Sequence, residues 1–495
     1  MAEKRKSVTE NVAVLFGRQL VTWASTFVLL LFLPRYLGPV DYGMVYLGQS
    51  LTMIFSIVID FGGHFWITKE VARNRETVGQ IMADALGLRV VMWLVSLVGL
   101  NIYAAVAGYD TTTRIVILVM GIGMVWKAGT GVLSSCYQGL ELLKYPAYSS
   151  IASAAFGSAV GVTALILGIG PIGYSVVGVL SGLVGFGVCA VFVPRMTTRV
   201  PRVIWKNALS QLGQGIPYFL NTLLSTISYR VDTVMLSLMA PQAVLGWYGA
   251  AHRLFDSSMF VPSILTMAVF PAMARQWGTN KSVSTSFQRS LDFLFLAGVP
   301  VCVGVFAFSR EIIEVFYGLE SYRQAVPLLQ IFGCGMILVY VNILLGTTLL
   351  ASDKQRQLVV ISLAAILINV GLNYLLIPLA QKEAGNGSLG SAIATLITEL
   401  VTMTSMTVLL RDEVLRGSRI VVQLKVLAAG AAMAGAFWLL DGMKVQWVLQ
   451  AVAGGVVYVG ALIALRTITK SDIQSLKVLV PGRFLQKTIG SAETE

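Results

Sequence analysis

The chain has 495 residues, of which 56% are hydrophobic and only 12% are charged, and its mean hydropathy is +0.77. A soluble protein of this length needs a larger polar surface, so the composition excludes a water-soluble globular protein. Apolar runs of about 20 residues recur along the chain, which is the length that one bilayer crossing requires. In lipid such runs form helices, because each backbone polar group must find its partner within the segment.

In chain order, the runs predict an all-α polytopic membrane protein with about fourteen transmembrane helices, and no cleaved signal peptide at the N-terminus. The predicted spans are residues 11–33, 43–63, 80–104, 114–138, 146–168, 171–193, 210–238, 244–271, 286–308, 324–350, 357–379, 388–410, 420–440 and 446–465.

The first interruption of the apolar pattern is LPRYLGPVDYG, residues 33–43. Proline and the residue before it disfavour helix, so Pro34 and Pro39 are predicted to end the first helix. We therefore expect a first external loop here, with Tyr36 and Tyr42 at the membrane–water interface.

The net charge of +12 follows the predicted topology. On the side of the N-terminus lie 25 of the 36 Lys and Arg residues, the opposite side holds 6, and the other five fall in or near spans. The positive-inside rule then places both termini in the cytoplasm and the chain in the cell membrane. The charge indicates attraction to anionic membrane lipids rather than a nucleic-acid partner.

The sequence contains a weak internal repeat. DYGMVYLGQSL, residues 41–51, aligns with VLGWYGAAHRL, residues 244–254, so that Gly43 matches Gly246 and Leu51 matches Leu254. Six spans separate the copies, which predicts a parallel repeat about an axis along the membrane normal.

Motifs in the same order and spacing resemble those of a known family. LPRYLGPVDYGMVYLGQSL, DFGGHFWITKEVAR, YQGLELLKY, YRVDTVMLSLM, LGWYGAAHRLFD, FPAMARQW, IIEVFYG and IATLITEL are similar to the Wzx-like oligosaccharide and polysaccharide flippases of the MOP exporter superfamily. The resemblance implies a MATE-like fold of two six-helix bundles, at residues 1–200 and 201–413. Residues 414–495 would then form two extra helices and a basic tail.

The resemblance also implies a function. Members of the family move undecaprenyl-diphosphate-linked sugar repeat units from the cytoplasmic to the outer leaflet, and a polysaccharide polymerase and glycosyltransferases are expected partners. Moving such a headgroup through hydrocarbon would strip its water at great cost, so a polar, cation-lined cavity is needed.

Five basic residues inside or near the ends of spans are candidates to bind the diphosphate: Arg18, Lys127, Arg253, Arg230 and Arg89. An ionised side chain at membrane depth costs roughly 2.5–3.5 kcal/mol, so it usually faces a cavity or a partner.

The alternative for each of these cations is structural. Arg253 is expected to pair with Asp256 three residues on, Arg89 to anchor beside Asp84, and Arg230 to snorkel at the outer end. Lys127 has no acidic residue within four positions.

Three acidic residues, Glu399, Asp256 and Asp232, are candidates to bind a coupling proton or sodium ion. Glu399 would face Asn369 and Asn373 if spans eleven and twelve form a hairpin; an interhelical hydrogen bond is the alternative. No GxxxxGK[ST] motif is present, and the four cysteines are not spaced as metal ligands. We therefore expect no cofactor, no metal and no ATP hydrolysis.

Three other functions compete with the flippase. A MATE-like drug/cation antiporter should have an acidic N-terminal cavity, whereas Arg18 and Lys127 are basic. A membrane enzyme such as a sugar polymerase usually needs a sizeable external loop, and the predicted loops are short. A lipid II flippase belongs to the same superfamily, and charge does not distinguish it.

Overall fold

The computed structural model describes residues 8–197, 201–279, 281–415 and 419–467, and these residues form helices and short connections without any strand. The α-helices are α1 Val8–Asp60, α2 Gly63–Arg73, α3 Val78–Val106, α4 Thr111–Gly139, α5 Lys144–Ile166, α6 Gly170–Val191, α7 Trp205–Met239, α8 Gln242–Ser257, α9 Phe260–Gly278, α10 Ser284–Ala307, α11 Ser309–Tyr317, α12 Leu319–Tyr322, α13 Val326–Ala351, α14 Gln355–Ala384, α15 Gly387–Leu409, α16 Arg411–Leu415, α17 Ile420–Gly442 and α18 Trp447–Ala464.

The helices confirm the prediction of an all-α polytopic membrane protein. In the described ranges, 11 helical segments are long and apolar enough to cross a membrane, and the bent pair of α8 and α9 makes a twelfth. The first of these segments, Gly17–Arg73, includes most of α1, whose 53 residues are two helices joined across a break. The 35-residue helix α7 is a further long helix. Fourteen crossings are consistent with this set.

The break within α1 corrects the prediction for residues 33–43. Helix continues through Pro34 and resumes at Pro39, and only Gly38 leaves helical geometry, with φ 72° and ψ 171°. Glycine accepts this positive φ without strain, and Pro39 begins the next helix, where its missing N–H is not needed. Tyr42, predicted to lie at the membrane–water interface, is fully buried within the protein, and its hydroxyl donates to the Gly249 carbonyl at 3.4 Å.

The described helices group into two compact units. Of the described residues, the first unit comprises those within Met1–Ser257, Ile312–Phe332 and Gln355–Thr402, and the second comprises those within Ser258–Glu311, Gly333–Lys354 and Met403–Glu495. The division at residues 200 and 413, which follows from the family resemblance, stays a prediction.

In the first unit, residues 39–47 of α1 pack closely against residues 242–249 of α8; we call this contact the α1–α8 seam. A methyl group on Gly43 would lie 3.1 Å from the Gly246 nitrogen, and one on Gly249 would lie 2.7 Å from the Tyr46 ring. Both pairs, Gly43 with Gly246 and Tyr46 with Gly249, align in the predicted repeat. An axis relating the two copies would bring such equivalent residues together.

In the second unit, α17 is tied to α10 by a polar cluster. Asp292 of α10 accepts from Arg419 Nη1 and from Gln423 Nε2, both at 2.7 Å. The Asp292 carboxylate and the Arg419 guanidinium neutralise each other, and their contact holds α10 against the start of α17.

Candidate functional site

The first unit contains a cavity of about 760 Å³. Its walls come from the second half of α1, from α3 to α6, and from one residue of α7. Three of the five predicted cations, Lys127, Arg89 and Arg230, line this cavity. The cavity therefore collects basic side chains from three different helices.

The wall formed by α5 and α6 is polar but uncharged. Ser149 donates to the Gly185 carbonyl at 2.6 Å, and Ser153 and Ser181 each donate to the other's backbone carbonyl at 2.9 and 2.8 Å. Small residues let the two helices approach closely, because a methyl group on Gly185 would lie only 3.1 Å from the Ser153 side chain. The wall thus offers hydroxyl groups without placing a charge in the bilayer.

Lys127 lies near the middle of α4 and is exposed within the cavity. Its neighbour Trp126 packs on Phe186 of α6, with ring centroids 5.6 Å apart. Among the residues that the structure describes, Lys127 has neither a hydrogen-bond nor an ion-pair partner. Its ammonium is therefore available to a ligand.

Arg89 is paired, but not with the residue expected from sequence. Its Nη2 lies 3.1 Å from Asp60 Oδ1, and its side chain is 5% exposed, against 47% for Asp60. Asp84 instead accepts from the backbone N–H of Ile204 at 2.6 Å and from Gln80 at 2.8 Å. Because Asp84 is hydrogen-bonded to Gln80 and to the backbone just before α7, Arg89 of α3 pairs with Asp60 of α1 instead.

Arg230 reaches the cavity from α7 through aromatic neighbours. Its guanidinium lies 4.7 Å from the centroid of the Tyr229 ring, and Nη1 donates to Tyr46 Oη at 3.2 Å. Arginine gains from the negative face of such a ring, but neither contact neutralises its charge. Arg230 thus lines a cavity rather than only snorkelling.

Arg253 and Arg18 lie outside the cavity lining. The expected pair of Arg253 with Asp256 is wrong, because Asp256 contacts His252 and Tyr229 instead. The guanidinium of Arg253 interacts with the hydroxyl groups of Tyr42 and Tyr174. Arg18 is half-buried in α1, and its backbone carbonyl accepts from Thr22 at 2.9 Å.

Asp232 is a buried carboxylate held by three side-chain hydrogen bonds. It is 6% exposed and accepts from Asn373 Nδ2 at 2.7 Å, from Thr395 Oγ1 at 2.7 Å and from Tyr248 Oη at 3.1 Å. A contact of Asn369 and Asn373 with Glu399 stays a prediction; the Glu399 side chain is half-buried on α15. A polar residue every fourth position in an apolar helix, as at Asn369 and Asn373, is the signal that points to such a cluster.

Sequence reasoning missed Tyr248 and Thr395, which hydrogen-bond to Asp232 in this cluster. Tyrosine and threonine are common within apolar spans, so neither residue gave a signal in the sequence. No group of three or more His, Cys, Asp or Glu residues arranged to hold a metal ion occurs in the described ranges.

Comparison with known proteins gives two family matches. The model described as "Polysaccharide biosynthesis protein" matches residues 8–277, and the MatE model matches residues 217–375. The chain is 23% identical over 409 residues to the "probable low-salt glycan biosynthesis flippase Agl15" of Haloferax volcanii, covering 80% of each protein.

Two solved structures share the fold. The lipid II flippase MurJ in an inward closed conformation superposes with a TM-score of 0.72 at 13% identity, covering 92% of this chain and 99% of that one. An inward-facing MATE multidrug transporter of the MOP superfamily gives 0.62 at 13% identity, covering 81% and 96%. These matches confirm the resemblance found in the sequence motifs, and the chain belongs to the polysaccharide biosynthesis protein family of multi-pass membrane proteins.

Proposed function

We propose that this protein is a flippase that moves undecaprenyl-diphosphate-linked oligosaccharide repeat units from the cytoplasmic to the outer leaflet for surface polysaccharide synthesis. It works by alternating access through the cationic cavity and does not act as an enzyme. Family membership and a relative named as a glycan biosynthesis flippase support this function.

The observation that carries the proposal is the charge of Lys127, which has no partner among the described residues, inside a hydroxyl-walled cavity. A diphosphate leaving water needs a counter-charge, and a lysine ammonium supplies a point charge that can follow a moving headgroup. Arg230 supplies a second cation, while Arg89 is largely neutralised by Asp60. The serine wall of α5 and α6 suits the hydroxyl groups of a sugar.

Arg18 and Arg253 keep a secondary role in this proposal. Both lie outside the lining of the cavity in the conformation described, so they would meet the headgroup only at another stage of transport. A change of conformation is inherent to alternating access.

We propose Asp232 as the main site for a coupling ion, either a proton or sodium. Its carboxylate accepts from the side chains of Asn373 and Thr395, and Thr395 also donates to the backbone of Ser391. In the part of the chain that the structure describes, Asn373 Oδ1 and Ser391 Oγ are buried and make no hydrogen bond. Carboxylate, amide and hydroxyl oxygens are the donors that hard cations prefer. Asp256 and Glu399 remain further candidates.

The setting proposed is the inner, cytoplasmic membrane, with both termini in the cytoplasm. The excess of basic residues on that side supports the orientation. The partners proposed are membrane lipids, a polysaccharide polymerase and glycosyltransferases, and no nucleic acid.

Two other functions are distinguished by cargo. The likeness to MurJ favours lipid II as a second candidate, since a cationic cavity serves its diphosphate equally well. An exporter of organic cations fits poorly, because the three basic residues of the cavity outweigh the single carboxylate of Asp60.

The test replaces Lys127 by alanine in cells that depend on this protein for surface polysaccharide. We expect Lys127→Ala to lose nearly all polysaccharide at a normal membrane level of protein, and Lys127→Arg to retain part of it. Lys206→Ala, which removes an exposed lysine outside the cavity, is the matched control and should behave as wild type. Normal polysaccharide in Lys127→Ala cells would contradict the proposal, and lost cell-wall synthesis instead of lost polysaccharide would identify lipid II as cargo.

A further inference from the structure

A buried histidine and a carboxylate face each other on α8 without completing a bond. His252 is 8% exposed, and its Nδ1 lies 3.3 Å from Asp256 Oδ2, one helical turn on. Within the described residues, Nδ1 is buried and makes no hydrogen bond of acceptable geometry. Buried polar groups are nearly always hydrogen-bonded, so this nitrogen is an unfilled position. A proton on Nδ1 would fill it with a charge-assisted bond to Asp256.

The imidazole is enclosed by aromatic rings. Its centroid lies 5.5 Å from those of Tyr229 and Tyr248, 5.7 Å from Phe332 and 5.9 Å from Phe255. This apolar enclosure keeps water away, so an imidazolium there depends on the carboxylate beside it. Whether His252 can hold a second proton therefore depends on the position and charge of Asp256.

The pair is also connected to the cavity. The second oxygen of Asp256 accepts a hydrogen bond from the Tyr229 hydroxyl. The guanidinium of Arg230, which lines the cavity, lies over the Tyr229 ring. On the other side of His252, the stacked Tyr248 donates to Asp232. The titratable and charged groups around His252 are thus Asp256, Tyr229 and Arg230 toward the cavity, and Tyr248 and Asp232 away from it.

We propose that His252 and Asp256 form a proton-binding dyad whose protonation strengthens binding of an anionic headgroup in the cavity. A proton taken up from water by Nδ1 turns the neutral imidazole into a cation that pairs with Asp256. The carboxylate then no longer offsets the charge of Arg230, and it competes less for the Tyr229 hydroxyl. By linkage, headgroup binding must in turn favour protonation of the dyad by the same factor. This inference rests on the proposed function of the cavity.

The test measures the affinity of the purified full-length protein in nanodiscs for undecaprenyl diphosphate between about pH 5 and pH 8, where histidine titrates. In wild type we expect affinity to rise toward low pH by at least about fivefold more than in His252→Gln. His64→Gln removes the other histidine of the chain and should match wild type. Identical pH profiles in wild type and His252→Gln would overturn the dyad.

A second variant keeps the test decisive if His252→Gln folds poorly. Tyr229→Phe leaves both members of the dyad but removes the hydroxyl that joins Asp256 to the ring beneath Arg230. We expect imidazole NMR of Tyr229→Phe to show that His252 still titrates, while the pH effect on affinity shrinks; an unchanged pH effect would overturn the link. Failure of the proposed function is distinguishable, because wild type would then bind the lipid at no pH.

Discussion

The cavity and the α1–α8 seam both depend on glycine, but they use it in opposite ways. Methyl groups on Gly131 and Gly178, which line the cavity, would meet nothing within 4 Å. A methyl group on Gly246 in the seam would lie 1.9 Å from the Pro39 carbonyl oxygen. At these two cavity positions glycine leaves room for a ligand, whereas in the seam it lets two backbones touch.

The same contrast holds for polar side chains. In the seam, Tyr42 and Tyr248 are at most 1% exposed, and both hydroxyls are hydrogen-bonded. In the cavity, Lys127 is exposed and unpaired among the described residues. Satisfied polar groups hold helices together, and the unsatisfied ones mark the place where a ligand can bind.

The largest expected effect is on the seam. Gly246→Ala must move the backbones of α1 and α8 apart, and overpacking of this kind costs typically 1–3 kcal/mol or more. We expect a clear fall in the thermal unfolding temperature in detergent. The matched control, Gly131→Ala, should unfold like wild type or slightly later, because alanine is the better helix residue and meets no neighbour. Equal behaviour of the two variants would break the comparison.

Asp60→Asn separates stability from binding inside the cavity. It leaves the nearly buried Arg89 without its counter-charge, which costs about 3–5 kcal/mol for a fully buried pair. Because Asp60 is 47% exposed, solvent screening should reduce this to about 1–2 kcal/mol. The freed Arg89 adds positive charge to the cavity, so undecaprenyl diphosphate should bind more tightly although the protein unfolds earlier. Weaker binding together with lower stability would contradict this assignment of charges.

The smallest expected effect lies outside both regions, at the connection before α4. Burial raises the pKa of Asp110, but hydrogen bonds from Thr113 and Thr112 outweigh this and hold the pKa below its usual value. Asp110 is the N-cap residue of α4. Because its pKa is lower in the folded chain, the ionised side chain stabilises the fold at pH values above about 3.9, the pKa in the unfolded chain, and this stabilisation is lost as the pH falls through the folded-state pKa. Asp110→Ala should lose about 1 kcal/mol of unfolding free energy at neutral pH. Circular-dichroism melts should show this difference vanish in acid, with transport unchanged throughout.

Sequence reasoning predicted what depends on local composition. The helical class follows from the apolar runs, and the isolated charge of Lys127 follows from the residues within one turn of it. The family was indicated by the resemblance of motifs in their order and spacing. The predicted partners of Arg253 and Arg89 were wrong, because both side chains interact with residues of other helices. Residue spacing within one helix does not predict how that helix crosses its neighbours. At residues 33–43, proline indicated a loop, yet the single conformation of Gly38 sufficed to break the helix.

The most direct test of the central claim is a contact measurement between Lys127 and the diphosphate. Full-length protein with ¹⁵N-labelled lysine would be loaded with undecaprenyl diphosphate in bilayers, and ¹⁵N–³¹P dipolar coupling measured by solid-state NMR. The account predicts one lysine ammonium coupled to phosphorus, and loss of that signal in Lys127→Arg although lipid stays bound. An equal coupling in Lys127→Arg, or bound lipid with no lysine coupling in wild type, would contradict it.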